Sequence, residues 1–437
     1  MRRLLREARG NDHCIEMVGT EQAPADPFAY LRAYLARERV APVPDALRFG
    51  GGLVGYFGYE TVANVEPSAL KGGKPDPLGT PDALLLVSDE LAVVDNVLGK
   101  LYLVVYADPR ESGAFAAARE RLARLRARLA APIADELALG MAGAGRAADP
   151  ARDECSFTEE NFLDAVRRCK DYIFAGDCMQ VQVSQRTTRA FDAPPLELYR
   201  ALRSVNPSPY MYYFDFGDHH VVGASPEIMV RLSGGAVTLR PIAGTRPRGA
   251  TPEDDARIAD ELLADPKERA EHVMLIDLGR NDVSRVAATG TVRVTETMVI
   301  ERYSHVMHIV SNVEGRIAPG LDAIDVFKAS FPAGTVTGAP KVRAMQIIDE
   351  LEPVKRGVYS GAVGYLGFNG HMDVAIAIRT AVVKGGKLHV QAAAGVVADS
   401  DPRAEWQETQ HKARALLKAA ALCYAEPAPE ARSAEAP

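Results

Sequence analysis

An α+β fold is what the 437-residue sequence predicts, and three observations carry that expectation. Tight turns at "FNGH" and "KGGK" join apolar runs directly, so the runs on either side must be antiparallel neighbours. Those runs alternate. In "KLHVQAAAGVV", Leu388, Val390, Ala392, Ala394 and Val396 form one face, and His389, Gln391, Ala393 and Gly395 the other. Helices announce themselves by their starts: "TPEDDARIADELLAD", "DPKERAEHVMLIDLG" and "DPRAEWQETQHKARALLKAAAL" each open on a capping residue followed by proline.

Taken in order, residues 1–132 form an N-terminal region. It has strand-like runs such as "ALLLVSDELAVV" and "KLYLVVYAD", then a helix in "GAFAAARERLARLRARLAA" whose arginines form a solvated face. Residues 133–155 are rich in Ala, Gly, Asp and Pro and read as a linker. Residues 156–425 form the second region. It begins with a helix in "TEENFLDAVRRCKDYIFAGD", capped by Thr158, and residues 426–437 read as a disordered tail. "DVAIAIRTAVV" reads as one strand, with Val374, Ile376, Ile378, Thr380 and Val382 on its greasy face. Asp373, Ala375, Ala377, Arg379 and Ala381 lie on the other. A face of small residues with a few polar groups is neither core nor ordinary surface, so it predicts the floor of a cleft. "GGLVGYFGY" near residue 51 is echoed by "SGAVGYLGF" near residue 360, which suggests strands with close backbone approach.

A net charge of −7 argues against nucleic acid or an anionic membrane as partner and points to a small substrate. No run of eighteen apolar residues exists, and a cytoplasmic protein is expected. The five cysteines lack C-x-x-C spacing and predict neither a disulfide framework nor a zinc site.

"FPAGTVTGAPKVRAMQIIDELEP" has glycines and a lysine that suggest a phosphate loop. Pro340 removes an N–H where the cradle should close, and Val342 stands where a hydroxyl is needed, so that reading fails. Glu268 and Glu271, and likewise Glu405 and Glu408, stand three apart on predicted helices, which puts each pair on one face. Four convergent carboxylates would call for a hard cation such as Mg²⁺, although the same spacing also suits plain helix capping. His308 lies in a β-rich apolar context where a hydrogen-bonded core role is equally open.

Together the segments "GDCMQVQVSQR", "NPSPYMYYFDF", "GASPE", "RPIAGTRPRG", "DPKERAEHVMLIDLGRNDVSRVA", "YSHVMHIVSNVEG", "FPAGTVTGAPKVRAMQIIDELEP", "GVYSGAVGYLGF" and "AAAGVVADSDPRAEWQETQHKA" resemble the chorismate-utilising enzyme family. The likeness is strongest to its anthranilate synthase component I branch. It implies two large antiparallel sheets packed orthogonally, helices outside, and an active site in the cleft between them. It also implies amination of chorismate at C2 followed by pyruvate elimination, in tryptophan biosynthesis.

Residue by residue, the resemblance makes Glu271 and Glu408 direct Mg²⁺ ligands, with Glu268 and Glu405 acting through water. Glu227 becomes the general acid that protonates the departing C4 hydroxyl, and His308 the active-site histidine. Arg379 and Tyr359 are expected on the enolpyruvyl carboxylate and Lys412 on the ring carboxylate. Thr245, Thr335 and Gly395 would add hydroxyl or backbone contacts. Gln180 stands where water-adding relatives carry a lysine base, and Ala243 where relatives that aminate at C4 often carry a lysine. Both favour ammonia at C2. Asn206, Pro207, Ser208, Pro209, Tyr210 and Met211 match half of a tryptophan feedback pocket.

No cysteine sits in an amidotransferase elbow, so this chain is not expected to hydrolyse glutamine itself; the resemblance implies a separate glutamine amidotransferase subunit as the source of ammonia. Three departures stand out. Family members usually open with an L-L-E-S segment that forms the other half of the tryptophan pocket, whereas only "RRLLREARG" stands here. Truncation, a misassigned start or lost feedback would each account for this, and tryptophan inhibition is doubtful. Ser284 and Ala393 replace usual glycines, and the Ala393 methyl is expected to crowd the substrate. The rival readings are an aminodeoxychorismate synthase component I, an isochorismate or salicylate synthase, and a non-catalytic paralogue.

Overall fold

The structure, a computed structural model, describes residues 5–9, 14–17, 26–41, 47–132, 153–303 and 306–424. The linker expectation falls mostly on residues 133–152 and the tail expectation on 426–437, all outside the described residues. At the linker's far end, Glu154–Cys155 is already a strand, paired with Thr187 and Thr188.

Two sheets dominate the described residues. The larger has eleven strands, ordered Ile242–Pro247, Val306–Arg316, Ala236–Leu239, Ile228–Ser233, Met372–Ile376, Ala362–Gly367, Gly52–Phe57, Ala83–Ser88, Leu5–Arg9 and Cys14–Met17, with Arg293–Arg302 also on Val306–Arg316. It is antiparallel except where Leu5–Arg9 runs parallel to Ala83–Ser88. The smaller has seven strands, in the order Gly338–Ala339, Gln180–Ala190, Lys387–Val396, Thr380–Lys384, His220–Ser225 and Tyr210–Asp215, with Glu154–Cys155 beside Gln180–Ala190. Strands from residues 1–132 thus lie within the larger sheet beside strands from the second region.

The two echoed segments prove to be direct neighbours. Gly52–Phe57 pairs with Ala362–Gly367, and Gly55 lies opposite Gly364. A β-carbon on Gly55 would fall 2.1 Å from the Leu84 carbonyl oxygen, and one on Gly364 2.1 Å from that of Asp373. Both glycines are therefore demanded by close strand approach.

Between the sheets, Tyr56, Leu84 and Val363 from the larger pack on Val221 and Val382 from the smaller. The smaller sheet's outer face, with Val222, Ala381, Leu388, Val390 and Ala392, is covered by Leu198 and Leu202 of helix Pro195–Val205 and Leu416 of helix Pro402–Leu422. The larger sheet's opposite face buries Phe57, Leu85 and Val230 against Phe28 of helix Pro27–Arg37 and Phe327 of helix Ala323–Ser330. Each such side chain contributes about 1.5–3 kcal/mol on burial. The helix starts lie where the sequence predicts them: Thr158, Thr251, Asp265 and Asp401 are all N-caps that accept backbone N–H bonds.

One expectation is corrected. "DVAIAIRTAVV" is two strands rather than one: Met372–Ile376 belongs to the larger sheet and Thr380–Lys384 to the smaller. The chain crosses between sheets at Ala377–Arg379, with Arg379 at φ +51°. Period-2 counting cannot register such a corner, so it assigned residues 380–382 to faces of the wrong sheet.

The suspected phosphate loop is a packing device. A β-carbon on Gly334 would fall 1.7 Å from Leu278 Cδ2, and one on Gly338 2.1 Å from the Gln180 carbonyl oxygen. Lys341 donates to both oxygens of Asp282, at 3.0 and 2.9 Å, in a mostly buried pair. Lys341→Ala is expected to destabilise the fold by about 3–5 kcal/mol, since it strands a buried carboxylate. Urea unfolding checks this, and a change below about 1 kcal/mol would contradict the buried pair.

Candidate active site

Two sheet crossings lie side by side and build the site. In "SPE" the chain leaves the smaller sheet at Ser225 and enters the larger at Ile228, and residues 376–380 make the return crossing. Ser225 Oγ donates to the Ile376 carbonyl at 2.7 Å, and Ile376 N donates to the Glu227 carbonyl at 3.0 Å, locking the two corners together. Glu227 and Arg379 are thereby held at adjacent corners.

Glu227 is 8% exposed. Burial pushes its carboxyl up to about 8, against the opposing pull of the Thr335 hydroxyl and the charges of Arg379 and Lys412. Thr335 Oγ1 is itself buried without a hydrogen-bond partner of ordinary geometry. Burial lowers the pKa of Arg379, countered by Tyr359, Glu408 and Glu227. Arg379 and Ser360 are two of the described non-glycine residues with left-handed backbone, and Ser360 follows Tyr359 directly. Such conformations cost on the order of 1–3 kcal/mol and persist where surrounding structure holds them.

His308 is oriented by a bulge. In "IAGTR" the register of Ile242–Pro247 against Val306–Arg316 slips between Ala243 and Thr245, and Gly244 sits at φ +63°. The Gly244 carbonyl lies 3.1 Å from His308 Nδ1, and Thr245 Oγ1 also lies 3.1 Å away. A carbonyl only accepts, so Nδ1 carries the proton and Nε2 is left as the acceptor. Burial lowers the pKa of His308, which favours this neutral form. Tyr303 packs edge-on against the imidazole, with ring centroids 5.6 Å apart.

The four glutamates come from helices Pro266–Ser284 and Pro402–Leu422. Glu271 Oε1 accepts from Gln180 Nε2 at 3.3 Å, and Glu268 from Arg246 at 2.9 Å. Lys412 lies 2.5 Å from Glu408 and donates to the Ala393 carbonyl at 2.9 Å. Glu405 Oε2 is buried without a partner. Burial raises the Glu271 carboxyl, with Glu268 and Glu408 adding to the rise. Glu405 is raised by burial and by Glu408. Among the described residues no group of three or more His, Cys, Asp or Glu is gathered as a ready metal cage. An orphaned buried oxygen on Glu405, with the carboxylates that push up Glu271 and Glu405, is nonetheless a donor set whose charge a hard cation would balance.

Gly395 sits against two side-chain amides. A β-carbon there would lie 2.7 Å from Gln182 Nε2 and 2.9 Å from Gln180 Nε2. Gly395→Ala is therefore expected to displace both amides at a cost of about 1–3 kcal/mol, read as a raised KM for the substrate. An unchanged KM would remove Gly395 from the site. Room for the cleft floor expected on this face is confined to the Gly395 end. Further along the same face Gln391 is buried, bonded to Arg186 and Ser184. The Ala393 methyl is buried on that face, opposite Ser184, and its backbone carbonyl anchors Lys412. Ser284 is exposed at a helix end, where its hydroxyl donates to the Asn281 carbonyl.

A family model described as chorismate binding enzyme matches residues 6–418. The chain belongs to this family. Similar relatives include the anthranilate synthase component 1 of Pseudomonas aeruginosa, 58% identical over 410 residues, with 93% of this chain and 83% of that protein covered. The protein of the same name from Neisseria meningitidis serogroup A is 58% identical over 405 residues, covering 92% and 81%. Among solved structures, anthranilate synthase component I from Streptococcus pneumoniae has a TM-score of 0.82 at 38% identity, covering 93% of this chain and 88% of that one. The menaquinone-specific isochorismate synthase from Escherichia coli shares the fold, with a TM-score of 0.68 at 21% identity and coverage of 88% and 82%.

In this chorismate-binding chain Asn206–Met211 abuts one corner, with Tyr210 paired to Ser225 and Met211 to Ala224. It leads into the edge strand Tyr210–Asp215, where the Tyr210 hydroxyl donates to Asp373 at 2.9 Å and accepts from Arg231 at 3.1 Å. Sequence reading passed over Gly244, Arg246 and Tyr303. A glycine inside the "IAGT" strand is a bulge signal that could have revealed the first. Among the described residues no helix is long and apolar enough to cross a membrane.

Proposed function

We propose that the chain combines chorismate with ammonia to give anthranilate, pyruvate and water, as a cytoplasmic enzyme of tryptophan biosynthesis. The reading rests on one observation above the others: a carboxyl buried at the sheet crossing, Glu227, held largely protonated near neutral pH beside Arg379. Relatives 51–58% identical and named anthranilate synthase component 1 support the choice of reaction.

Glu227 gives its proton to the departing C4 hydroxyl, so that water leaves as ammonia bonds to C2. His308, its Nδ1–H held by the Gly244 carbonyl, takes the C2 proton on its free Nε2 as the ring becomes aromatic and the enolpyruvyl group leaves, and the methylene carbon of that group regains a proton to give pyruvate. Arg379 makes no side-chain hydrogen bond or ion pair among the described residues, which leaves its fork for the enolpyruvyl carboxylate, beside Tyr359. Lys412 meets the ring carboxylate. Glu271 and Glu408 would hold Mg²⁺ directly, with Glu268 and Glu405 reaching it through water; bound there, the ion supplies Lewis-acid polarisation of the ring carboxylate. Gln180, bonded to Glu271, offers no base to activate water, and Ala243 no amine to direct attack to C4.

Ammonia would come from a separate glutaminase partner, in keeping with the "component 1" in the relatives' names. Chorismate, Mg²⁺ and ammonium salt at mildly alkaline pH should yield anthranilate and pyruvate in equal amounts. Isochorismate, salicylate or aminodeoxychorismate as product would overturn the reading. Asn206–Met211 would contribute to a tryptophan pocket, and inhibition of the same assay by added tryptophan measures it.

A further inference from the structure

Arg356 is 1% exposed, and all five of its guanidinium N–H groups are used. Nε and one Nη2 proton hold the two oxygens of Glu352, at 2.9 and 2.6 Å. The other Nη2 proton goes to the Gln182 carbonyl at 2.7 Å. Nη1 donates to the Val336 carbonyl at 2.8 Å and to Ser360 Oγ at 3.1 Å. The flat cation also lies over the rings of Tyr59 and Tyr359, 4.7 and 5.7 Å from their centroids. None of these groups belongs to the acid, the base or the carboxylate helices.

The acceptors share one property. Val336 adjoins Thr335, Ser360 adjoins Tyr359, and Gln182 is the cross-strand partner of Gly395. Three segments from distant parts of the chain, each one residue or one pairing away from the substrate-binding positions, are thus tied to a single planar group. Glu352 extends the tie, because its Oε1 also accepts from Ser184 N and Oγ, at 2.7 and 2.8 Å. Glu60 accepts from the backbone N–H of Arg356 and of Gly357, at 2.8 and 2.9 Å, which joins the N-terminal region to the same knot.

We propose that Arg356 is a positioning residue for the chorismate pocket: it sets the mutual spacing of the Thr335, Tyr359 and Gly395 segments without touching substrate. This rests on the chorismate reading of the site given above. Lysine keeps the charge but presents three donors from one point, so it cannot span three segments and bind Glu352 at once.

The test measures chorismate affinity by titration calorimetry alongside KM values for chorismate and ammonium. It uses the full chain and its Arg356→Lys and Ser360→Ala variants, the latter removing a single bond. Arg356→Lys should weaken chorismate binding about tenfold or more and Ser360→Ala about two- to fivefold, with the ammonium KM unchanged. A merely structural role lowers the amount of active enzyme and leaves both KM values alone; that pattern, or unchanged affinity in Ser360→Ala, overturns the proposal. If the parent makes a different chorismate product, the proposed reaction fails while the affinity ratios still decide the role of Arg356. A parent that does not bind chorismate overturns both.

Discussion

Glu227→Gln should lower kcat by about 10²–10⁴-fold while leaving chorismate affinity nearly unchanged. The amide is close in shape to the acid and suits the same buried corner, but it has no proton to give the departing hydroxyl. The pH profile is the sharper readout. In the proposed reaction Glu227 acts in its protonated form, and burial holds its pKa at about 8, so the parent's rate should fall as pH rises through that value. In the same proposal His308 acts unprotonated, and its pKa is lowered by burial, so the acid limb should lie below the ordinary histidine range. In the Gln variant the alkaline limb should disappear and the acid limb remain. An unaltered alkaline limb would assign that titration to another group.

Glu271→Gln should reduce turnover more than about 100-fold, beyond the 10–100-fold typical of losing an outer-sphere partner, which is the size expected for Glu268→Gln or Glu405→Gln. The loss would be visible without any assay of activity: Mg²⁺ titrated into the protein with chorismate present should bind the parent and fail to bind the Glu271 variant at the same concentrations. Glu408→Gln should act similarly, with an added effect on Lys412, whose ammonium now leans on Glu408. Retained Mg²⁺ binding in both variants would remove the two helices from the metal site.

Much of this was legible in the residues because the signals are local. The capping grammar placed four helix starts, since a side chain that accepts from the first turn must sit where the turn begins. The two hairpins announced themselves in glycine turns of a few residues. The candidate site residues came from an ordered set of motifs, and the structure links Glu227, His308, Thr335, Arg379, Lys412 and the four glutamates through a chain of pairwise electrostatic or hydrogen-bonding contacts. What escaped is long-range. Alternation runs unbroken through Ala377–Arg379, yet the chain changes sheets there, and only the partner strands reveal it. Likewise nothing in "KRGVYSG" distinguishes Arg356 from a surface arginine; its burial depends on Glu352, Val336 and Gln182 arriving from elsewhere.

The paired crossings at Ser225–Ile228 and Ile376–Thr380 bear on how the enzyme comes into being. In the proposed mechanism neither sheet alone owns the chemistry: His308 and Thr245 ride on the larger, Gln180 and Gly395 on the smaller, and Glu227 and Arg379 belong to the threads stitched between them. A half-assembled chain therefore carries only a part of the proposed catalytic apparatus. Competence should arrive in one step, late in folding, when the second sheet closes on the first.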